Sequence, residues 1–160
     1  MTTNKTMEVK ITEDLTLTID CKTNMGNVNN ILHYGNTVRK RRGLQPVGID
    51  WVLTNQDFWK FVIAKDTQDY NERLKNVKPV KSPHIPRDFT MLNEYRDSDG
   101  SINYSKLIYK FPTIIKAQRG GKVETRGYWM DLAILLKFGC MLDNNLEIQI
   151  YNTFINGEVF

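Results

Sequence analysis

The sequence predicts an α+β fold, and three observations lead to that class. Residues 7–19 alternate apolar and polar side chains in two short runs, which is the period of paired β-strands. From Gly26 the apolar spacing changes to i, i+3 and i+4, the period of one helix face. Residues 114–155 then repeat both patterns, a second hairpin followed by two helices. We therefore expect a single domain over residues 1–160.

Composition and charge limit the classes of function. Apolar residues make up 41% of the 160 residues, the net charge is +4 and the pI is near 9.0, so an anionic partner is favoured over a membrane. No apolar run approaches the roughly 20 residues that span a bilayer, and the polar start lacks a signal-peptide core. We expect a cytoplasmic location. Cys21 and Cys140, predicted to be reduced, show no metal-ligand spacing with His33 or His84, so neither a metal nor a cofactor is predicted.

The first part of the domain, residues 7–75, is predicted to be a β-hairpin followed by helices. Leu15, Leu17 and Ile19 share the apolar face of its second strand. The first helix begins near Asn27 and runs towards Arg42, with Gly43 as its C-terminal stop.

Two more helices are expected to complete this part. A short capping-box-like pair, Thr54 and Asp57, begins the first of them, and Asp69–Lys75 forms the second. The residues predicted to be buried here are Trp51, Phe58, Trp59, Phe61 and Val62.

Residues 76–90 contain three prolines and are interpreted as a connecting loop, in which His84 is solvated. The second part, residues 91–157, begins with a turn at Asp97–Gly100. Strands are predicted at Ile102–Phe111 and Thr113–Gln118.

Residues 114–130 are predicted to form a cationic β-hairpin, because a Gly120-Gly121 pair lies between extended flanks. We call this hairpin the wing. Its tip carries four cations, opposed by Glu124: Lys116, Arg119, Lys122 and Arg126. Two interpretations stay open, contact with a phosphate backbone and a solvated surface hairpin.

Arg39, Lys40, Arg41 and Arg42 form a second basic cluster in the last turn of the first helix. They offset the helix dipole there, or they contact phosphate. Four consecutive cations exceed what the dipole requires, and both interpretations stay open.

Two apolar helices are predicted to brace the wing. The first carries Leu132 to Phe138 and ends at Gly139 and Asp143–Asn145. The second carries Leu146 to Ile155, is capped by one of the Asp/Asn residues at 143–145, and stops at Gly157.

The segment Ile114–Phe154 resembles the KilA-N domain of phages and large DNA viruses, which is related to fungal APSES DNA-binding domains. The resemblance rests on Arg119-Gly-Gly121, Gly127-Tyr-Trp129, the apolar helix Ile134–Leu142, the break Asp143-Asn-Asn145 and the helix Leu146–Phe154. Upstream, Ile49-Asp-Trp-Val-Leu-Thr-Asn55 is similar to the family's Asp-Trp-Leu segment. The resemblance to the KilA-N domain implies a small α+β domain whose wing is braced by two helices.

The chain departs from the family pattern at three places. Asp131-Leu132-Ala133 stands where the family usually has His-Pro-Asp, and Asp143-Asn144-Asn145 replaces its Ser-Pro-Glu break. Met141 stands where the family has a helix-ending Trp.

The resemblance and the charges together predict a phage-encoded, regulatory protein that binds duplex DNA. The four wing cations and Arg39–Arg42 would contact phosphate, while Gln118 and Thr125 would hydrogen-bond base edges or sugars. The departures motivate an alternative, an anti-defence inhibitor, similar to an anti-CRISPR, that binds a host defence or replication protein. A second copy of the chain is a further expected partner. Catalysis is not expected, because the close acidic pair Asp97 and Asp99 lies on a turn and the histidines lie far apart without a motif.

Overall fold

The fold is α+β, with an antiparallel five-stranded sheet and several helices, as the sequence predicts. A computed structural model describes residues 5–75 and 89–156. The strands are β1 (Thr6–Thr12), β2 (Leu15–Asp20), β3 (Met25–Asn27), β4 (Ile115–Gln118) and β5 (Gly127–Asp131). The α-helices are α1 (Val28–Arg41), α2 (Asp50–Leu53), α3 (Gln56–Lys75), α4 (Tyr104–Leu107), α5 (Leu132–Leu142) and α6 (Asn144–Ile155).

The sheet joins the beginning and the end of the chain. Its strand order is β1-β2-β3-β5-β4, so β1 and β4 form its two edges. The short strand β3 pairs with β2 on one side and with β5 on the other, where Asn27 lies opposite Trp129. The wing is therefore held by the strand that leads directly into α1.

The helices cover one face of this sheet and enclose the core. Leu15, Leu17 and Ile19 are buried, which confirms the predicted face of β2. They pack with residues of α1, α3, α5 and α6, and Phe58, Trp59, Phe111 and Phe138 are the largest side chains of the centre. The close approach of α1 and α5 requires Gly139, since a Cβ there would lie 2.4 Å from Ile31 Cδ1.

The first helix begins and ends where the sequence predicts. Asn27 caps α1 by accepting a hydrogen bond from the Asn29 backbone N–H at 2.8 Å. At the other end, Gly43 has a φ of 76°, a left-handed conformation that glycine adopts without steric cost.

Several predicted helices and strands are corrected by the structure. Ile102–Phe111 is not a strand: it contains α4 and a 3₁₀ helix at Ile108–Lys110, because Asn103 caps the Lys106 N–H. Asp69–Lys75 is the end of α3 and not a separate helix. Gly139 lies inside α5, which continues to Leu142.

One cap and two core assignments also differ from the prediction. Asn55 accepts the hydrogen bond from the Asp57 N–H that the sequence assigns to Thr54, whose hydroxyl instead donates to Asp50 O. Trp51 is 54% exposed and Phe61 is 39% exposed, because a guanidinium and an ammonium group, respectively, cover part of each ring in place of the core.

Other predictions are confirmed, and some lie outside the described residues. Asp143 is the residue that caps α6, and the Asp97–Gly100 turn is present, with the Gly100 N–H donating to Asp97 O. The strand predicted at Thr113–Gln118 is confirmed from Ile115. Gly157, His84 and residues 76–88 of the predicted loop fall outside the described ranges, whereas Phe89 and Thr90, predicted to end that loop, begin a 3₁₀ helix that continues to Tyr95.

Candidate nucleic-acid interface

The wing is a hairpin of β4 and β5 with a structured loop at residues 119–126. A 3₁₀ turn at Val123–Thr125 replaces the tight turn predicted at Gly120-Gly121. Arg126 Nε donates to Gly121 O at 3.1 Å, and the Trp129 indole N–H donates to Thr125 O at 2.9 Å. These bonds give the loop a defined shape despite its exposure.

All four cations predicted for the wing are exposed to solvent: Lys116, Arg119, Lys122 and Arg126. No ion pair connects them with any carboxylate whose side chain the structure describes. Nearby, burial raises the pKa of Tyr128, and the charge of Arg119 opposes that shift. The wing therefore presents positive charge that internal ion pairs do not neutralise.

Gln118 and Thr125 contribute to the shape of the loop. Gln118 Nε2 donates to Gly120 O at 3.1 Å, and the Thr125 hydroxyl donates to Lys122 O at 2.9 Å. Their predicted contacts with bases stay a prediction, for which the Gln118 carbonyl and the Thr125 oxygen lone pairs are suited.

The base of the wing is tied to the start of α1. The side-chain amides of Asn27 and Asn29 donate to Arg126 O at 3.4 and 3.3 Å. Gly127 follows with a φ of 103°, and a Cβ there would lie 3.0 Å from Asn29 Nδ2. A side chain at position 127 would therefore disturb this junction.

The basic cluster at 39–42 divides into two pairs. Arg39 Nη1 donates to Leu142 O at 2.9 Å, and its guanidinium group lies 5.5 Å from the Trp51 ring centroid. Arg42 forms a 2.6 Å ion pair with the buried Asp143. Lys40 and Arg41 are exposed and form no ion pair within the described part of the chain, so these two cations are available to a ligand.

The wing and these two cations lie at opposite ends of α1. Asn29 contacts the base of the wing, and Arg41 follows it by 12 positions, about 18 Å along the helix axis. A groove connects the two ends, lined by Asn29, Asn30, His33, Tyr34, Thr37 and Arg41 of α1 and by Asp14, Leu15 and Thr16. The prediction from sequence missed this surface, because it used only the apolar positions of α1. The absence of Asp and Glu from Val28–Arg41 is the sequence feature that could have indicated this surface.

Two of the three departures from the KilA-N pattern, at Asp131 and at Asp143, coincide with helix caps. Asp131 caps α5 by accepting from the Ala133 N–H at 3.0 Å, and its other oxygen lies 4.0 Å from Lys65 Nζ. The hydrogen bond that Lys65 donates to Asp69 raises the pKa of Lys65, and the charge of Asp131 makes a smaller contribution in the same direction. Asp143 caps α6 through the Asn145 and Leu146 N–H groups. These aspartates begin helices without the proline of the family pattern.

A second exposed surface is apolar and belongs to α6. Ile148, Tyr151, Phe154 and Ile155 are each at least half exposed, and we call them the α6 stripe. The Tyr151 hydroxyl donates to Glu147 at 2.6 Å, and this bond raises the pKa of Tyr151 to about 12. The stripe therefore stays uncharged at neutral pH except for Glu147 at its edge.

The described ranges contain no group of three or more His, Cys, Asp or Glu side chains that could hold a metal ion. Among the helices of residues 5–75 and 89–156, none combines the length and the apolarity needed to cross a membrane. Cys21 is exposed and Cys140 is half-buried, and burial raises the pKa of the Cys140 thiol.

Comparison of the chain with protein-family models, with curated proteins and with solved structures found no match.

Proposed function

We propose that this protein binds duplex DNA through the wing and through Lys40 and Arg41, as a phage-type regulatory protein of the KilA-N class. The observation that supports the proposal is the set of six exposed cations that form no ion pair with a described carboxylate. Cations that no internal ion pair neutralises release counterions from DNA when they contact phosphate.

The spacing of the two cationic groups suits a duplex. Asn29, which contacts the base of the wing, and Arg41 lie about 18 Å apart along α1, which corresponds to about five base-pair steps at 3.4 Å each. The side-chain amides of Asn27 and Asn29 donate to Arg126 O and thereby hold the wing at a fixed position relative to α1. Two contact regions this far apart favour a polymer over a small anion.

Fluorescence anisotropy with a random-sequence duplex between about 50 and 200 mM salt tests the proposal. Six phosphate contacts predict a slope of about −5 in log affinity against log salt concentration. Arg119→Ala and Lys122→Ala should each reduce the magnitude of that slope by about 0.9, and Arg119→Glu/Lys122→Glu should abolish binding at about 200 mM.

Lys10→Ala is the matched control. Lys10 is an exposed cation on β1, the edge of the sheet opposite β4. Its removal should leave the slope unchanged. Absence of binding by the wild-type chain at about 50 mM salt would rule out the proposed function.

A second candidate function is supported by the α6 stripe. We propose it as the docking surface of an inhibitor that binds a host defence or replication protein, because exposed contiguous apolar side chains favour contact with protein. In that case Ile148→Asp/Phe154→Asp should abolish recovery of a defined host protein in a pull-down, while Arg119→Glu/Lys122→Glu should retain it.

A further inference from the structure

We propose that the exposed face of α1 enters the major groove and reads base edges, with Asn29, His33 and Thr37 as the specificity-determining residues. This inference rests on the proposed binding of duplex DNA. It adds the groove, the reading element and sequence preference, none of which the phosphate contacts supply.

The first argument is the chemistry of this face. Asn29, His33 and Thr37 follow one another at i, i+4 and i+8, so they line one side of the helix. Asn29 and His33 are exposed and Thr37 is half-buried. Lys40 and Arg41 continue the row at its C-terminal end. A row of polar side chains with cations near both ends matches base edges flanked by phosphates.

The second argument is that these polar groups are not fully used by the fold. Other amides of α1 have structural partners: Asn30 accepts from the Thr18 N–H at 2.9 Å, and Asn36 bonds both backbone groups of Val47. In contrast, the His33 ring forms no hydrogen bond with any described residue. Asn29 donates one amide hydrogen to the wing, and its second amide hydrogen and its oxygen remain, the pair that contacts adenine in a bidentate manner.

The third argument is the position of the wing. A major groove about 12 Å wide admits a helix, and phosphates line both of its sides. The wing touches the N-terminal turn of α1 through Arg126 O, so its cations reach one side of the groove while Lys40 and Arg41 reach the other end of the helix. Asp14 lies on the wall of the surface groove that faces α1, and its negative charge would repel DNA phosphates. We expect Asp14→Asn to raise affinity for all sequences equally.

Selection from a random duplex library, followed by anisotropy on the enriched site and on random DNA, tests the inference. The wild-type chain should enrich a motif of about five base pairs, the length that α1 spans. His33→Ala/Thr37→Ala should lose the preference for that motif by about tenfold or more, while affinity for random DNA and the salt slope stay unchanged.

The matched control is Thr67→Ala/Asn71→Ala on α3. Thr67 and Asn71 have the same i, i+4 spacing, and the Thr67 hydroxyl donates to Ile63 O as that of Thr37 donates to His33 O. The Thr67→Ala/Asn71→Ala variant should keep the preference for the enriched motif.

Two further measurements complete the test. Circular dichroism melting of each variant shows whether it is folded. Competition of the wild-type chain with methyl green, a ligand of the major groove, tests the binding mode without any variant.

The outcomes of these experiments support or overturn the inference as follows. Loss of the motif in His33→Ala/Thr37→Ala, together with competition by methyl green, supports the inference. Retention of the motif in that variant, or binding by the wild-type chain without any enriched motif, overturns it and leaves the proposed function intact. Absence of DNA binding by the wild-type chain overturns both.

Discussion

Gly127 joins the loop of the wing, residues 119–126, to β5. Its φ of 103° is rarely accessible to other residues, and Asn29 occupies the space that a Cβ would need. As the first residue of β5, Gly127 thus couples this strand to the first turn of α1.

We expect Gly127→Ala to lower the free energy of unfolding by about 1–3 kcal/mol, the usual cost of a strained backbone conformation. Gly120→Ala is the control, because no atom lies within 4 Å of the position that its new methyl group would occupy and its φ is not left-handed. Urea denaturation of both variants measures the difference. Equal stability of the two variants would show that the junction tolerates a side chain.

At the scale of single residues, the sequence predicts well which charged side chains are exposed, and it predicts poorly which residues they contact. The exposure of the wing cations follows from their position around a glycine-containing loop. The division of the basic cluster does not, because Arg42 is distinguished from Arg41 only by Asp143, 101 positions away. The prediction that Trp51 is buried is wrong for a similar reason. No local sequence pattern reveals that the guanidinium group of Arg39 lies above its ring.

At the scale of elements, the Arg42–Asp143 pair joins the end of α1 to the start of α6. The carboxylate is fully buried, caps α6 and accepts from Arg42, so three interactions meet on one side chain. Removal of the cation leaves a buried charge without its partner.

We expect Arg42→Ala to lower the free energy of unfolding by about 1–3 kcal/mol and to leave the salt slope of DNA binding unchanged. Arg41→Ala should show the reverse, full stability and a slope reduced in magnitude by about 0.9. Denaturation and anisotropy on the same preparations separate the two effects. A loss of DNA affinity in Arg42→Ala without a loss of stability would contradict the structural role.

The elements with strong periodicity are those that sequence predicts correctly, and these are the N-terminal hairpin, α1, α5 and α6. The segment 102–111 is predicted to be a strand although Tyr104, Leu107, Ile108 and Phe111 have helical spacing. The three-residue strand β3 escapes prediction, because its pairing with β5 depends on residues far away in the chain.

At the scale of the whole molecule, the basic surface and the α6 stripe are built from different elements. The stripe carries four large apolar side chains, fewer than a standard interface of about 800 Å² per partner requires. The stripe itself contains no cation, so contact between two copies there brings no cationic side chains of the stripe together despite the net charge of +4.

We therefore expect weak self-association through the α6 stripe, seen as a sedimentation coefficient that rises with concentration in the range of tens of micromolar and above. Ile148→Asp/Ile155→Asp should sediment as a monomer at every concentration. A wild-type chain that is itself monomeric throughout would leave the stripe to a different protein.

The position of β3 between the two hairpins has a consequence for folding during synthesis. The side-chain amides of Asn27 and Asn29 bond Arg126 O, which is 99 and 97 positions later in the chain, so β3 and the first turn of α1 lack this partner until residue 126 has left the ribosome. At about 5–20 residues per second that delay lasts several seconds. Long-range closure of this kind slows folding, and we expect the nascent chain to gain DNA affinity in one late step and not gradually.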